Sequence, residues 1–211
     1  MAILGAAGPS AYWYTTRATG LVSLVLLTAS VVLGVLGSVR WSSSRWPRLL
    51  TQGLHRNVSL LVVAFVAIHV ATSVLDGYAP IGWLAWVVPF TSRYHPIWLG
   101  LGAVSFDLIL AVIATSLLRT KLSLRVWRAV HWTAYACWPV ALAHSLGAGT
   151  DTRLSWVLAV ELSCLMAVAG AVAWRIGQVW RHKVGRLDWS GSVDLGSIGQ
   201  SARAEKDGAV R

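Results

Sequence analysis

Charge is what this chain has least of. Only 12% of its 211 residues are Asp, Glu, Lys or Arg, and the acidic ones number 8. Leu21–Val39, Asn57–Leu75 and Ala129–Thr150 contain no charge at all, Tyr94–Leu118 contains only Asp107, and Leu154–Trp174 only Glu161. Each run reaches the roughly 20 apolar residues that a spanning helix requires. An all-α membrane protein, a bundle of five transmembrane helices, is therefore expected. No G-x-G-x-x-G occurs, so nothing reads as a dinucleotide-binding turn. The two cysteines, Cys137 and Cys164, fall inside spans and read as small hydrophobes. A sixth apolar stretch, Gly77–Ser92, is shorter and carries Pro80 and Pro89. It reads as an interfacial loop or short re-entrant segment.

What charge there is lies mostly on one side. Arg40, Arg45, Arg48 and Arg56 occupy the first connection, and Arg119, Lys121, Arg125 and Arg128 the third. Arg175, Arg181, Lys183 and Arg186 follow the last span, while the opposite side has Arg17, Arg93 and Arg153. By the positive-inside rule the N-terminus is outside and the C-terminus cytoplasmic. The net charge of +10 is then mainly a topology signal. The basic residues hug helix ends and form no separate domain, so nucleic acid is not an expected partner; membrane lipid is. Ten of the 13 tryptophans fall near the ends of spans, as an aromatic belt would place them, whereas Trp138 lies mid-span. The first basic residue is Arg17, so the N-terminus does not read as a signal peptide. The expected organisation is an extracytoplasmic segment (1–16), a membrane domain (17–180) and a disordered cytoplasmic tail (181–211).

Four histidines stand out against this background. His55 and His69 are 14 residues apart, and His131 and His144 are 13 apart. At about 1.5 Å per residue each pair spans roughly 20 Å of helix axis. Imidazole in hydrocarbon is costly unless it is paired or ligating. The second and fourth spans start on the same side, so they run parallel. His55 and His131 then share the inner depth, and His69 and His144 the outer depth. That arrangement suits two haems held between helices two and four, each iron taking one histidine from each helix. A zinc or copper site needs three or four converging ligands, which residues about 20 Å apart cannot supply. No C-x-x-C-H is present, which excludes covalent c-type haem. The remaining histidines, His95 and His182, read as surface residues.

A spacing of 14 returns to within about 40° of the same helix face, but 13 lands about 140° away. The fourth span should therefore be distorted between its histidines, or hold its two groups at different rotations. Pro139 sits between them and is a named cause for a kink. Asp107 and Glu161 lie within spans. They read as polar contacts, to backbone or to histidine Nδ1, or as part of a proton path.

Together these residues resemble the ferric reductase-like transmembrane domain. That family includes ferric reductases, the membrane domain of NADPH oxidases and the haem-binding subunit of the bacterial methionine sulfoxide reductase system. The likeness rests on L-H-R-(x12)-H at Leu54–His69 and W-R-(x2)-H-W-(x2)-Y-(x8)-H at Trp127–His144. The segment Val88-Pro-Phe-Thr-Ser-Arg-Tyr-His-Pro96 also looks like bacterial members. The resemblance covers roughly residues 12–180. It implies two non-covalent haems b with His55, His69, His131 and His144 as iron ligands, and it makes Trp138 the candidate aromatic between them. Arg56 and Arg128 on the inner side and Arg93 on the outer are candidate partners for haem propionates, although each also serves as a topology charge.

The expected function is transport of single electrons across a bacterial cytoplasmic membrane by a dihaem b-type cytochrome. It would be the oxidoreductase subunit of a ferric reductase-like system without its own FAD or NADPH domain. The donor would be a flavoprotein or a quinol, and the acceptor ferric iron, oxygen or an extracytoplasmic flavoprotein. A quinol-oxidising cytochrome b subunit and, from another class, a non-redox transport or assembly subunit remain alternatives.

Overall fold

The structure is a computed structural model. It describes residues 10–38, 47–76, 83–149, 151 and 154–208, with side chains described as far as Arg181. Arg40, Arg45, Trp41, Trp46 and Arg153, and the side chains of His182, Lys183 and Arg186, lie outside that set. All described secondary structure is helical: α1 (Ala11–Ser38), α2 (Arg48–Leu75), α3 (Pro96–Leu117), α4 (Leu124–Trp132), α5 (Ala134–Ala148) and α6 (Ser155–Gly208). The apolar stretch before α3 contains a short 3₁₀ turn at Trp83–Trp86 rather than a span. The chain divides into two compact units, residues 1–169 and 170–211, and the candidate site lies wholly in the first.

Among the described residues four helices are long and apolar enough to cross a membrane: Ala11–Ser38, Arg48–Leu75, Pro96–Leu117 and Ser155–Arg181. The fourth expected span corrects to a helix broken in two, α4 and α5, at Thr133. The local cause is Thr133 itself. Its backbone N–H donates to the Val130 carbonyl at 2.9 Å and its hydroxyl donates to the same oxygen at 2.7 Å. That i→i−3 bonding tightens the turn and takes the carbonyl the next residue would use. Pro139 lies inside α5 and cannot donate to the Tyr135 carbonyl, but the break falls upstream of it.

The helices also extend past the uncharged runs. Arg17 lies within α1, and Arg48 and Arg56 within α2, because long cationic side chains can reach water while their backbone stays helical. Residues 11–16, expected in an N-terminal segment, already belong to α1. The backbone of α6 is helical through Gly208, where a disordered tail was expected. A helix already nucleated in the span gains one bond for each further residue it orders.

Within the first unit α1 is central. It packs against α2 and also meets α5, while α3 packs against α4 and α5. Its buried face is rich in hydroxyls, with Thr19, Ser23, Thr28 and Ser30 among its least exposed residues. Small polar residues let helices approach closely in lipid and bond across the contact. Ser10 donates to Asp76 Oδ1, Thr16 donates to Thr72 Oγ1, and the Ser30 and Ser59 hydroxyls share a bond, each at 2.8 Å. Those partners show α1 and α2 to be antiparallel.

On its other side α1 meets Trp138 of α5. The indole is 4% exposed, packs with Leu24, Val31, Leu142 and Cys164, and donates Nε1–H to Thr28 Oγ1 at 2.8 Å. Thr28→Val keeps the shape but strips the acceptor from a buried N–H. The expected loss is about 1–3 kcal/mol. Thermal unfolding in detergent should show it, with Thr28→Ser close to wild type.

Candidate haem-ligand site

Each histidine of α2 faces one histidine of α4 or α5. The His55 and His131 ring centroids are 6.4 Å apart with planes at 76°, and those of His69 and His144 are 6.3 Å apart at 81°. The first pair lies toward the arginine-rich ends of the helices and is called the near pair; the second is the far pair. A metal–imidazole bond is about 2 Å and the ring nitrogen lies about 1.1 Å from its centroid, so one ion held between two imidazoles separates the centroids by about 6.2 Å. Both pairs have that separation. Among the described residues no group of three or more His, Cys, Asp or Glu could hold a metal ion, and each depth offers two opposed histidines.

The break at Thr133 helps to bring the 13-residue pair into line. A 3₁₀ turn advances about 120° per residue instead of about 100°, so three residues of it reduce the azimuthal mismatch from about 140° to about 80°.

Three of the rings are fixed in the same way. His55 Nδ1 donates to the Ser30 carbonyl at 3.0 Å, His69 Nδ1 to the Thr16 carbonyl at 2.7 Å, and His144 Nδ1 to the Trp98 carbonyl at 2.8 Å. Each carbonyl belongs to a helix and lies four residues before a glycine: Ser30 and Gly34, Thr16 and Gly20, Trp98 and Gly102. In an α-helix the residue four further on donates to that carbonyl, and its side chain crowds the second lone pair. Glycine removes the crowding. A Cβ built on Gly20 would lie 2.9 Å from His69 Cε1, and one on Gly102 would lie 2.7 Å from His144 Cε1. On Gly34 the corresponding approach to His55 Cε1 is 3.5 Å, an ordinary contact. With Nδ1–H committed, Nε2 keeps its lone pair and is the nitrogen left for a metal.

These glycines and carbonyls were not singled out from the sequence, yet a signal was there. Gly20 and Gly34 are 14 apart, the same spacing as His55 and His69 on the antiparallel helix beside them.

His131 differs. Its Nδ1 is buried and has no partner among the described residues. Its ring stacks on Trp127, with centroids 4.9 Å apart and planes at 17°. Trp127 is one of the ten tryptophans near the ends of spans, and here its ring packs on a histidine.

Other candidates are placed less decisively. Arg56 follows His55, Arg128 lies one turn before His131, and Arg93 precedes α3; all three are exposed and none makes an ion pair among the described residues. Arg17 pairs with Asp151 and lies over the Trp13 ring. Trp138 bonds Thr28, which lies between Thr16 and Ser30 about half a turn from the latter, and so the bond falls between the depths of the two pairs, nearer that of His55. His95 is exposed. Glu161 is 2% exposed and accepts from Ser145 Oγ at 2.6 Å. Neither it nor Asp107 is the recorded acceptor of a histidine Nδ1; carbonyls fill that role.

A groove of about 510 Å³ runs between α2 and α3, lined by Val63, Ala67, Val70, Phe106, Ile109 and Ile113 among others. Its walls are almost wholly apolar, which suits the flat face of a porphyrin. The opposed histidines, with three of their four tautomers fixed, fit a haem, and the groove adds apolar surface beside α2 and α3.

Gly20→Ala and Gly102→Ala should each displace a far-pair histidine, and Gly34→Ala should be tolerated. We expect the first two to lower bound haem by up to half and the third to leave it near wild type, read from the Soret absorbance per chain of purified protein.

No curated protein and no solved structure matches the chain. Residues 19–142 match the family described as Ferric reductase like transmembrane component; three of the four histidines fall inside that stretch and His144 lies two residues beyond it. With more than half of its length matched, the chain belongs to the ferric reductase-like transmembrane component family.

Proposed function

We propose that the chain is a dihaem b-type cytochrome carrying single electrons across the cytoplasmic membrane of a bacterium. In this reading it is the membrane subunit of a reductase fed by a separate flavoprotein or quinol. The observation that carries the reading is the pair of opposed histidines at two depths, each at 6.3–6.4 Å between centroids. Haem, when bound, supplies one-electron redox chemistry that the side chains lack.

The chain's part is to hold, orient and insulate. His55 and His131 are the ligands at one depth, and His69 and His144 at the other. The carbonyls of Thr16, Ser30 and Trp98 hold three of the rings in one tautomer and one rotation. The valines and isoleucines of α2 and α3 exclude water from the groove. Trp138, anchored on Thr28, fills the depth between the two pairs. Arg56 and Arg128 at one end and Arg93 at the other are available to propionates. The positive-inside rule puts the near pair on the cytoplasmic side, where the donor docks. The acceptor on the opposite side is ferric iron, oxygen or an extracytoplasmic flavoprotein.

Pyridine haemochrome analysis of purified protein should give two haems per chain. His69→Ala and His144→Ala should give one haem each and matching spectra, since either loss empties the far pair. A colourless protein, or matching phenotypes for His69→Ala and His131→Ala, would overturn the assignment. A reporter fused to the C-terminal end of α6 should be active only if it is a cytoplasmic one; periplasmic activity there would reverse the orientation.

A further inference from the structure

The two depths are not chemically equal. In the far pair both imidazoles donate Nδ1–H to helix carbonyls, at 2.7 and 2.8 Å. In the near pair only His55 does, at 3.0 Å. His131 Nδ1, although buried, has no partner among the described residues. Trp127 supplies what orients that ring, stacked at 4.9 Å and 17°. The Arg119 guanidinium lies over the same indole, 4.9 Å from its centroid. Arg119 and Trp127 also line a cleft of about 320 Å³ at this end of the bundle.

Resting on the dihaem reading, we propose that Trp127, with Arg119 over it, is a positioning residue that holds His131 away from any carbonyl and so sets the near site at a higher reduction potential than the far site.

The argument has two parts with the same sign. An imidazole that donates Nδ1–H to a carbonyl becomes a stronger donor through Nε2, and a stronger donor favours the oxidised metal. The far site has two such bonds and the near site one. Stacking fixes the plane of His131 but accepts no proton, so it gives orientation without added basicity. The cation works the same way, because positive charge nearby favours arrival of an electron. Arg119 is exposed and partly screened by salt, so its share is the smaller. At equilibrium a single electron on the protein then resides mostly at the near site.

The test is a redox titration of the purified haem-loaded protein followed by its α-band absorbance. Single-site variants remove the mutual repulsion of two reduced sites. His69→Ala, keeping the near site, should titrate at a higher potential than His55→Ala, which keeps the far site. We expect at least a tenfold difference in reduction equilibrium constant, about 59 mV for a one-electron couple. In the His69→Ala background Trp127→Leu should lower the potential, because the released ring can turn its N–H to a carbonyl or water. Arg119→Gln should lower it by less, and by an amount that shrinks as salt is added. In the His55→Ala background both changes should have no effect. Equal or reversed potentials in the single-site variants would overturn the proposal, as would a Trp127→Leu shift at the far site. Should Trp127→Leu lose haem, the His69→Ala against His55→Ala comparison and Arg119→Gln still decide. A wild-type protein with fewer than two haems would instead strike the dihaem reading itself, so the two failures are distinguishable.

Discussion

Three of the four rings at this site hang on the hydrogen bond from an imidazole Nδ1–H to a helix carbonyl. In hydrocarbon no water is present to satisfy a polar group, and each orphan costs several kcal/mol. A neutral imidazole has one N–H and one lone pair to place. If the N–H is met by a carbonyl, the tautomer is fixed and the lone pair on Nε2 becomes the single unmet need. A metal ion meets it. The same bond that stabilises the ring in the membrane therefore prepares it as a ligand.

Helix carbonyls are ordinarily poor acceptors for a neighbouring helix, because the side chain four residues on covers them. The glycines at 20 and 102 lift that cover where His69 and His144 arrive, while at Gly34 a Cβ would make only an ordinary contact with His55. On α1 this turns one helix into a ruler for the other. Two exposed carbonyls, at Thr16 and Ser30, are 14 residues apart and meet two histidines that are also 14 apart on α2. The hydroxyl bridges at Thr16–Thr72 and Ser30–Ser59 lock that register, since a slip of one residue would break them together with both imidazole bonds.

The parts of this arrangement that were legible in the sequence follow from chemistry that survives projection onto one dimension. Uncharged runs mark spans whatever their neighbours are. Histidines 14 and 13 apart, on helices expected to be parallel, fix which rings share a depth. The 13-residue spacing also announced a distortion of the fourth span, although Pro139 was the wrong place to look for it. A threonine bonding back to its own turn resembles any other threonine until the geometry is seen. The carbonyl acceptors were hidden for a similar reason. A backbone oxygen has no letter in the sequence, and the glycine that exposes it is informative only once the facing helix and register are known. Trp127 illustrates the converse error. Proximity to a helix end made it look like a membrane anchor, whereas one turn of helix places it against His131.

The packing adds a last consequence. Among the described residues α2 packs extensively only on α1, while α3, α4 and α5 form their own cluster and α1 links the two through α5. Elsewhere α2 borders the apolar groove with α3, and its His55 and His69 face His131 and His144. Lipid gives no hydrophobic reason for α2 to close on α5, because lipid tails are as apolar as the groove. Beyond the link through α1, a group bound jointly by the opposed imidazoles would tie the two sides together. A group that binds the assembled bundle and not the separated helices stabilises the assembly by mass action. In the dihaem reading the four histidines are thus structural as well as functional, joining helices that packing alone leaves apart.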